Sequence, residues 1–179
     1  MESEAYSIIP TQSNIDWVGR KVTGSHTGTI AVKSGSLHFF DGQFSGGDIV
    51  IDVTSLKILD ITDPNTNYQF ASHLHSADFF NSEEYPEAFL EITNIRSEKQ
   101  DCYHVDADLT IRGITNTVAF DAVVTRTAGK VNLITKIIID RTLYGMKFQS
   151  GSFFKDLGDN LIYNDFDLSV NLTATKENK

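Results

Sequence analysis

The sequence predicts an all-β protein in which about eight antiparallel strands close into an up-and-down barrel, interrupted once by a helix. Three observations carry this expectation. Apolar and polar residues alternate along most of the chain, the pattern of strands with one buried and one wet face. Tight-turn dipeptides, Asp41-Gly42 and Ala128-Gly129, separate consecutive strands. Only the stretch after Asp63-Pro64 shifts to helical spacing.

The elements follow in order. Tyr6 to Ile9 and Ile15 to Val22 read as short strands broken by Pro10, and Trp17 is the only tryptophan. Gly24 to Gly28 reads as a turn, with His26 as a solvated loop histidine. Thr29 to Phe40 is a strand with an expected bulge at Ser34-Gly35-Ser36, because glycine and serine interrupt its alternation. Past the Asp41-Gly42 turn, Ile49, Ile51 and Val53 share one face while Asp48 and Asp52 share the other.

Asp63 is a good helix cap, and Pro64 after it has no N–H to leave unpaired. Phe70, Leu74 and Ala77 recur at helical spacing, which predicts a helix from Pro64 to near His75. Strands follow at Glu87 to Ser97 and at Tyr103 to Arg112, where Tyr103, Val105, Ala107, Leu109 and Ile111 face inward. The next has Val118, Phe120, Ala122 and Val124 inward, and the one after it Val131, Leu133, Ile137 and Ile139. A loop of about twenty residues, Arg141 to Asn160, precedes the last strand, where Ile162, Phe166, Leu168, Val170 and Leu172 point in. Closing such a meander removes its exposed edges. Eight strands leave an interior that side chains can fill or that holds one small ligand, and the pattern alone leaves both open.

The bulk numbers narrow the function. A chain of 179 residues is one domain, 1–179, and it buries enough surface to need no disulfide or metal. Its net charge of −9 speaks against nucleic acid and against constitutive attachment to anionic membranes. One cysteine, Cys102, cannot form an internal disulfide, and no apolar run is long enough to span a bilayer. The N-terminus MESEAYSIIP shows no export signal, so the expected compartment is cytoplasmic as written, or periplasmic if a leader has been trimmed.

No nucleophile motif, phosphate-gripping loop or spaced Cys/His set is present, and no cofactor is expected. His73 and His75 lie on opposite sides of a helix, the wrong spacing for a shared metal. Glu83, Glu84 and Glu87 read as a solvated face, and His104 has no evident orienting partner. The long loop is more informative: Met146, Phe148, Phe153 and Phe154 stand beside Lys147 and Lys155, as in a flap. Phe153 and Phe154 serve equally well as plugs for the barrel end.

The stretches HLHSADFF…YPEA, ADLTIRGIT and DRTLYG, in that order, resemble the signatures of the YceI-like family of polyisoprenoid-binding proteins. The resemblance implies an eight-stranded lipocalin-like barrel with one helical cap and a long apolar tunnel for an isoprenoid or similar long-chain lipid. It implies no catalysis, frequent export to the periplasm and, in some members, a homodimer. Phe79, Phe80 and Leu74 match the family's positions around the helix. Asp108, Leu109, Thr110 and Gly113 match the strand and turn, and Arg141 and Gly145 match the start of the long loop. Ala107, Leu143 and Tyr144 depart from the usual residues there.

The expected function is therefore non-catalytic binding, storage or transport of such a lipid. The ligand-binding residues expected at the wall, mouth and flap are Trp17, Leu74, Phe79, Phe80, Phe89, Leu109, Ile137, Ile139, Met146, Phe148, Phe153 and Phe154. Arg141 and Lys147 are expected at an anionic or polar head, with a salt bridge from Arg141 to Asp108 or Asp140 as the alternative. The rival readings are an enzyme using the cavity as its active site and a structural or stress-response module with a filled core.

Overall fold

A computed structural model describes residues 2–177. Nine antiparallel strands form one closed sheet: β1 (Ser3–Ile8), β2 (Asn14–Lys21), β3 (Gly24–Phe40), β4 (Gln43–Ile58), β5 (Glu87–Lys99), β6 (Cys102–Ile111), β7 (Ile114–Thr127), β8 (Lys130–Asp140) and β9 (Ile162–Lys176). Strands β2 to β9 make the eight-stranded meander, closed where β2 pairs with β9. The ninth strand has a simple origin. β1 pairs with the far half of β3 and the end of β9, whereas β2 pairs with the near half of β3 and the rest of β9. The two form one stave, broken by the 3-10 turn at Pro10–Gln12 because proline cannot supply a ladder N–H.

Turn chemistry sets the hairpins. Asp41 and Gly42 have φ of 53° and 82°, the positive pair that a two-residue hairpin turn demands. Arg112-Gly113 and Ala128-Gly129 repeat it. The bulged strand is β3, whose register against β4 shifts between Val32 and Ser34 and at two further places. One expectation is corrected here: residues 24–28 are not a turn but the start of β3, with Gly28 paired to both Trp17 and Ile58. Gly28 serves close packing rather than chain reversal.

The helix α1 (Pro64–His75) occupies its expected span, and the Asp63 carboxylate accepts the Thr66 N–H as its cap. Ala77 lies beyond its end and is exposed. α1 and the segment 141–161 cover the same end of the barrel. The opposite end is solid: the rings of Phe39, Phe44 and Tyr103 stack in series with centroids 5.6 Å apart at each step. Leu37, Val105 and Leu172 fill the space beside them, all fully buried.

Candidate functional site

The capped half of the barrel is hollow. Alternation carries Trp17, Gly19 and Lys21 of β2, Ile51 and Val53 of β4, Leu109 and Ile111 of β6, and Ile139 of β8 onto one inner surface. They enclose a cavity of about 140 Å³ with an almost wholly apolar wall. α1 contributes Phe70 and Leu74, and the turn after it contributes Phe79 and Phe80. The long apolar tunnel implied by the resemblance is thus a shorter chamber, because the aromatic stack blocks the far half of the axis.

Of the residues expected to bind ligand, Trp17, Leu74, Phe79, Phe80, Leu109, Ile139, Arg141 and Met146 line this chamber. The others stand elsewhere. Phe89 is 45% exposed on the outer face, since its neighbours Ala88 and Leu90 take the inward positions of β5. Ile137 is buried opposite Leu168 but does not itself line the chamber. Phe148 seals the cap from outside, its ring 5.7 Å from Phe79 and 4.7 Å from His73. Phe153 and Phe154 are half exposed and neither plug the barrel nor reach the cavity. Lys147 sits over the Phe153 ring, 4.6 Å from its centroid, away from the chamber.

Arg141 is 4% exposed, and neither carboxylate expected for it binds it. Its Nε donates to Tyr163 O, Nη1 to Met146 O and Nη2 to Ile162 O, at 3.0, 2.6 and 3.0 Å. The guanidinium also faces the Phe79 ring at 5.7 Å. Burial pushes its pKa down from the ordinary value, with the charge of Asp140 opposing. Arg141 therefore ties the flap and the first residues of β9 to the chamber wall.

The residues not anticipated are those of the rim. Arg20, Lys21, His26, Phe70, Tyr163 and Asp165 line the cavity and also reach solvent. For β2 the signal was available, because Lys21 continues the inward period of Trp17 and Gly19. Arg20 donates to Asp167 at 2.9 Å and holds that carboxyl below the usual range against its burial. His26 meets Asp60 at 2.9 Å and packs on Phe70. His75 contacts Ser82 Oγ at 2.6 Å, and burial pushes its imidazole down. His104, on the outer face at the far end, does have partners: Asp121 at 2.9 Å and Asp106 at 3.6 Å.

Fold and site together define a closed up-and-down barrel with an apolar chamber under a helical cap. The chain belongs to the YceI-like domain family, whose family model matches residues 6–174. A UPF0312 protein of Photorhabdus laumondii is 35% identical over 94 residues, covering 49% of this chain and 46% of that protein. The chain spans about half the length of the curated relatives it matches. Among solved structures it is similar to BcnA of Burkholderia cenocepacia, with TM-score 0.74 and 20% identity over 94% of this chain and 99% of that one. It is also similar to a polyisoprenoid binding domain of Saccharophagus degradans implicated in plant cell wall breakdown. There the TM-score is 0.70 at 15% identity, covering 96% and 98% of the two chains. At these identities the structural likeness shows the shared barrel.

Proposed function

We propose that this protein binds and carries a lipid with a long apolar chain, an isoprenoid or a similar amphiphile, and performs no chemistry on it. The observation that carries this reading is the apolar chamber under α1. The name of the Saccharophagus relative supports the isoprenoid class.

Size sets a condition. A dry apolar cavity of about 150 Å³ is known to accept benzene, so the 140 Å³ chamber takes a long chain only if the cap yields. The cap is lightly held: α1 buries Leu74 alone among its residues. Burying a chain from water gains about 0.8 kcal/mol per methylene, but a lipid leaving a bilayer gains little of this. Tail length should therefore be read loosely, and the polar end should decide the cargo.

The test is organic extraction of purified protein followed by mass spectrometry, before and after incubation with lipid vesicles. One lipid chain per protein is expected, and Ala88→Leu, which adds three carbons to the cavity wall, should reduce loading at least tenfold. Protein that never retains lipid would favour a structural module instead.

A further inference from the structure

The chamber is not sealed evenly. On one side Leu74, Phe79 and Met146 are buried, and Phe148 packs against Phe79 and His73. On the other, the ladder between β2 and β9 breaks. Gly19 pairs with Phe166, and the next pair is Lys21 with Ile162, so Tyr163, Asn164 and Asp165 stand opposite Arg20 alone. The cause lies in the neighbouring interactions. Arg141 takes the carbonyls of Ile162 and Tyr163. The Asn164 side chain bonds to Ser150 and Ser152 of the flap. Residues 163–165 are thus drawn toward Arg141 and the flap and bulge away from Arg20, and pairing resumes at Lys21 with Ile162 and Val22 with Leu161.

Outside this break lies a basin of mixed polarity, bounded by Arg20, Ile138, Asp140, Tyr163, Asn164, Asp165 and Asp167. Arg20, Tyr163 and Asp165 line both the basin and the apolar chamber, so the two spaces meet at the break.

We propose that the break between β2 and β9 is the door of the chamber, and that an amphiphile lies through it with its tail inside and its head in the basin. This rests on the lipid-carrier reading and specifies its route and its head group. Arg20 and Lys136 are both engaged by Asp167, at 2.9 and 3.4 Å. Asp140 and Asp165 face each other across β8 and β9. Among the described residues Asp165 has no hydrogen-bond or ion-pair partner from another side chain. Asp140 Oδ1 already accepts from the Thr142 N–H and hydroxyl, so Asp165 is the open acceptor of the basin, and it selects a head that donates hydrogen bonds, an amine before a carboxylate. Lys21, on the facing lip, is the cation such a head must pass.

Trp17 lines the chamber and is the sole tryptophan, so its emission reports entry. Lys21 and Ile162 are register partners and within the reach of a disulfide. In a Cys102→Ser background, Lys21→Cys with Ile162→Cys staples the lip, and uptake of dodecylamine is followed by stopped flow. We expect uptake by the oxidised protein to be at least tenfold slower than by the same protein after reduction. Equal rates overturn the door. Independently, Asn67→Ala frees α1 from the carbonyls of Ile58 and Ile61, which the Asn67 side chain now holds. In this variant too the door predicts uptake at least tenfold slower with the Lys21→Cys and Ile162→Cys staple oxidised than reduced, and equal rates there would place entry under the helix instead. Dodecylamine should bind at least tenfold more tightly than dodecanoate, and the reverse order removes the head assignment. If neither amphiphile enters any form of the protein while extraction also finds no lipid, the carrier reading itself falls. Lipid recovered by extraction without a stapling effect overturns only the door.

Discussion

Trp17 and Gly28 are register partners across β2 and β3, and the indole of one occupies the space that a side chain on the other would need. A Cβ at Gly28 would lie 2.5 Å from the Trp17 ring and 1.8 Å from Lys57 O. The ring that forms part of the chamber wall is thus positioned by the absence of one methyl group. Its Nε1 donates to Thr29 O at 3.3 Å, which fixes its tilt.

Gly28→Ala should therefore destabilise the protein by about 2–3 kcal/mol, since β3 must move from β4 and the indole must turn. Urea unfolding measures the loss. Trp17 emission should shift to the red in the folded variant, and unchanged emission with unchanged stability would contradict the packing described.

Arg141→Lys keeps the charge but loses the fork that reaches three carbonyls. We expect a loss of about 2 kcal/mol from the carbonyls left without donors. Amide exchange should accelerate in the flap and at residues 162–164 and stay unchanged in β5 to β7. Uniform acceleration would show that Arg141 supports the whole barrel rather than this corner.

Glu4 governs an acid limb of stability. Lys176 and Arg126 hold its carboxyl down from 4.5 to about 2, joining β1 to β9 and β7. A carboxylate with a lowered folded pKa stabilises fully above its ordinary value, and that contribution is lost as the pH falls toward the folded one. Glu4→Gln should therefore be less stable than the parent at neutral pH. The gap should narrow below 4.5 and close near pH 2, as read from urea midpoints along a pH series. A gap independent of pH would mean that the carboxylate's charge is not what joins the strands.

Much of this architecture was legible because strand period, turn dipeptides and a helix cap are local signals. Asp41-Gly42 needs no distant partner to demand positive φ. Asp63 caps with a residue three positions on. Arg141 continues the inward series Val131, Leu133, Ile137 and Ile139, so its place in the wall also followed from period. Its partners did not: the carbonyls of Ile162 and Tyr163 lie about twenty residues downstream and carry no side-chain signature. Phe153 and Phe154 misled for the complementary reason. An aromatic in a loop has no period, and both lie half exposed outside the chamber.

The sequence by itself determined most of the strands and inner faces, the helix and the family resemblance, because each rests on spacing within a few residues; residues 24–28 and Phe89 were the exceptions. Only the tertiary structure decided that one half of the barrel is solid and the other hollow. Phe39, Phe44 and Tyr103 come from three different strands and meet only when the sheet closes. The volume left in the capped half is what remains after side chains distant in sequence have packed, and no local pattern encodes that remainder.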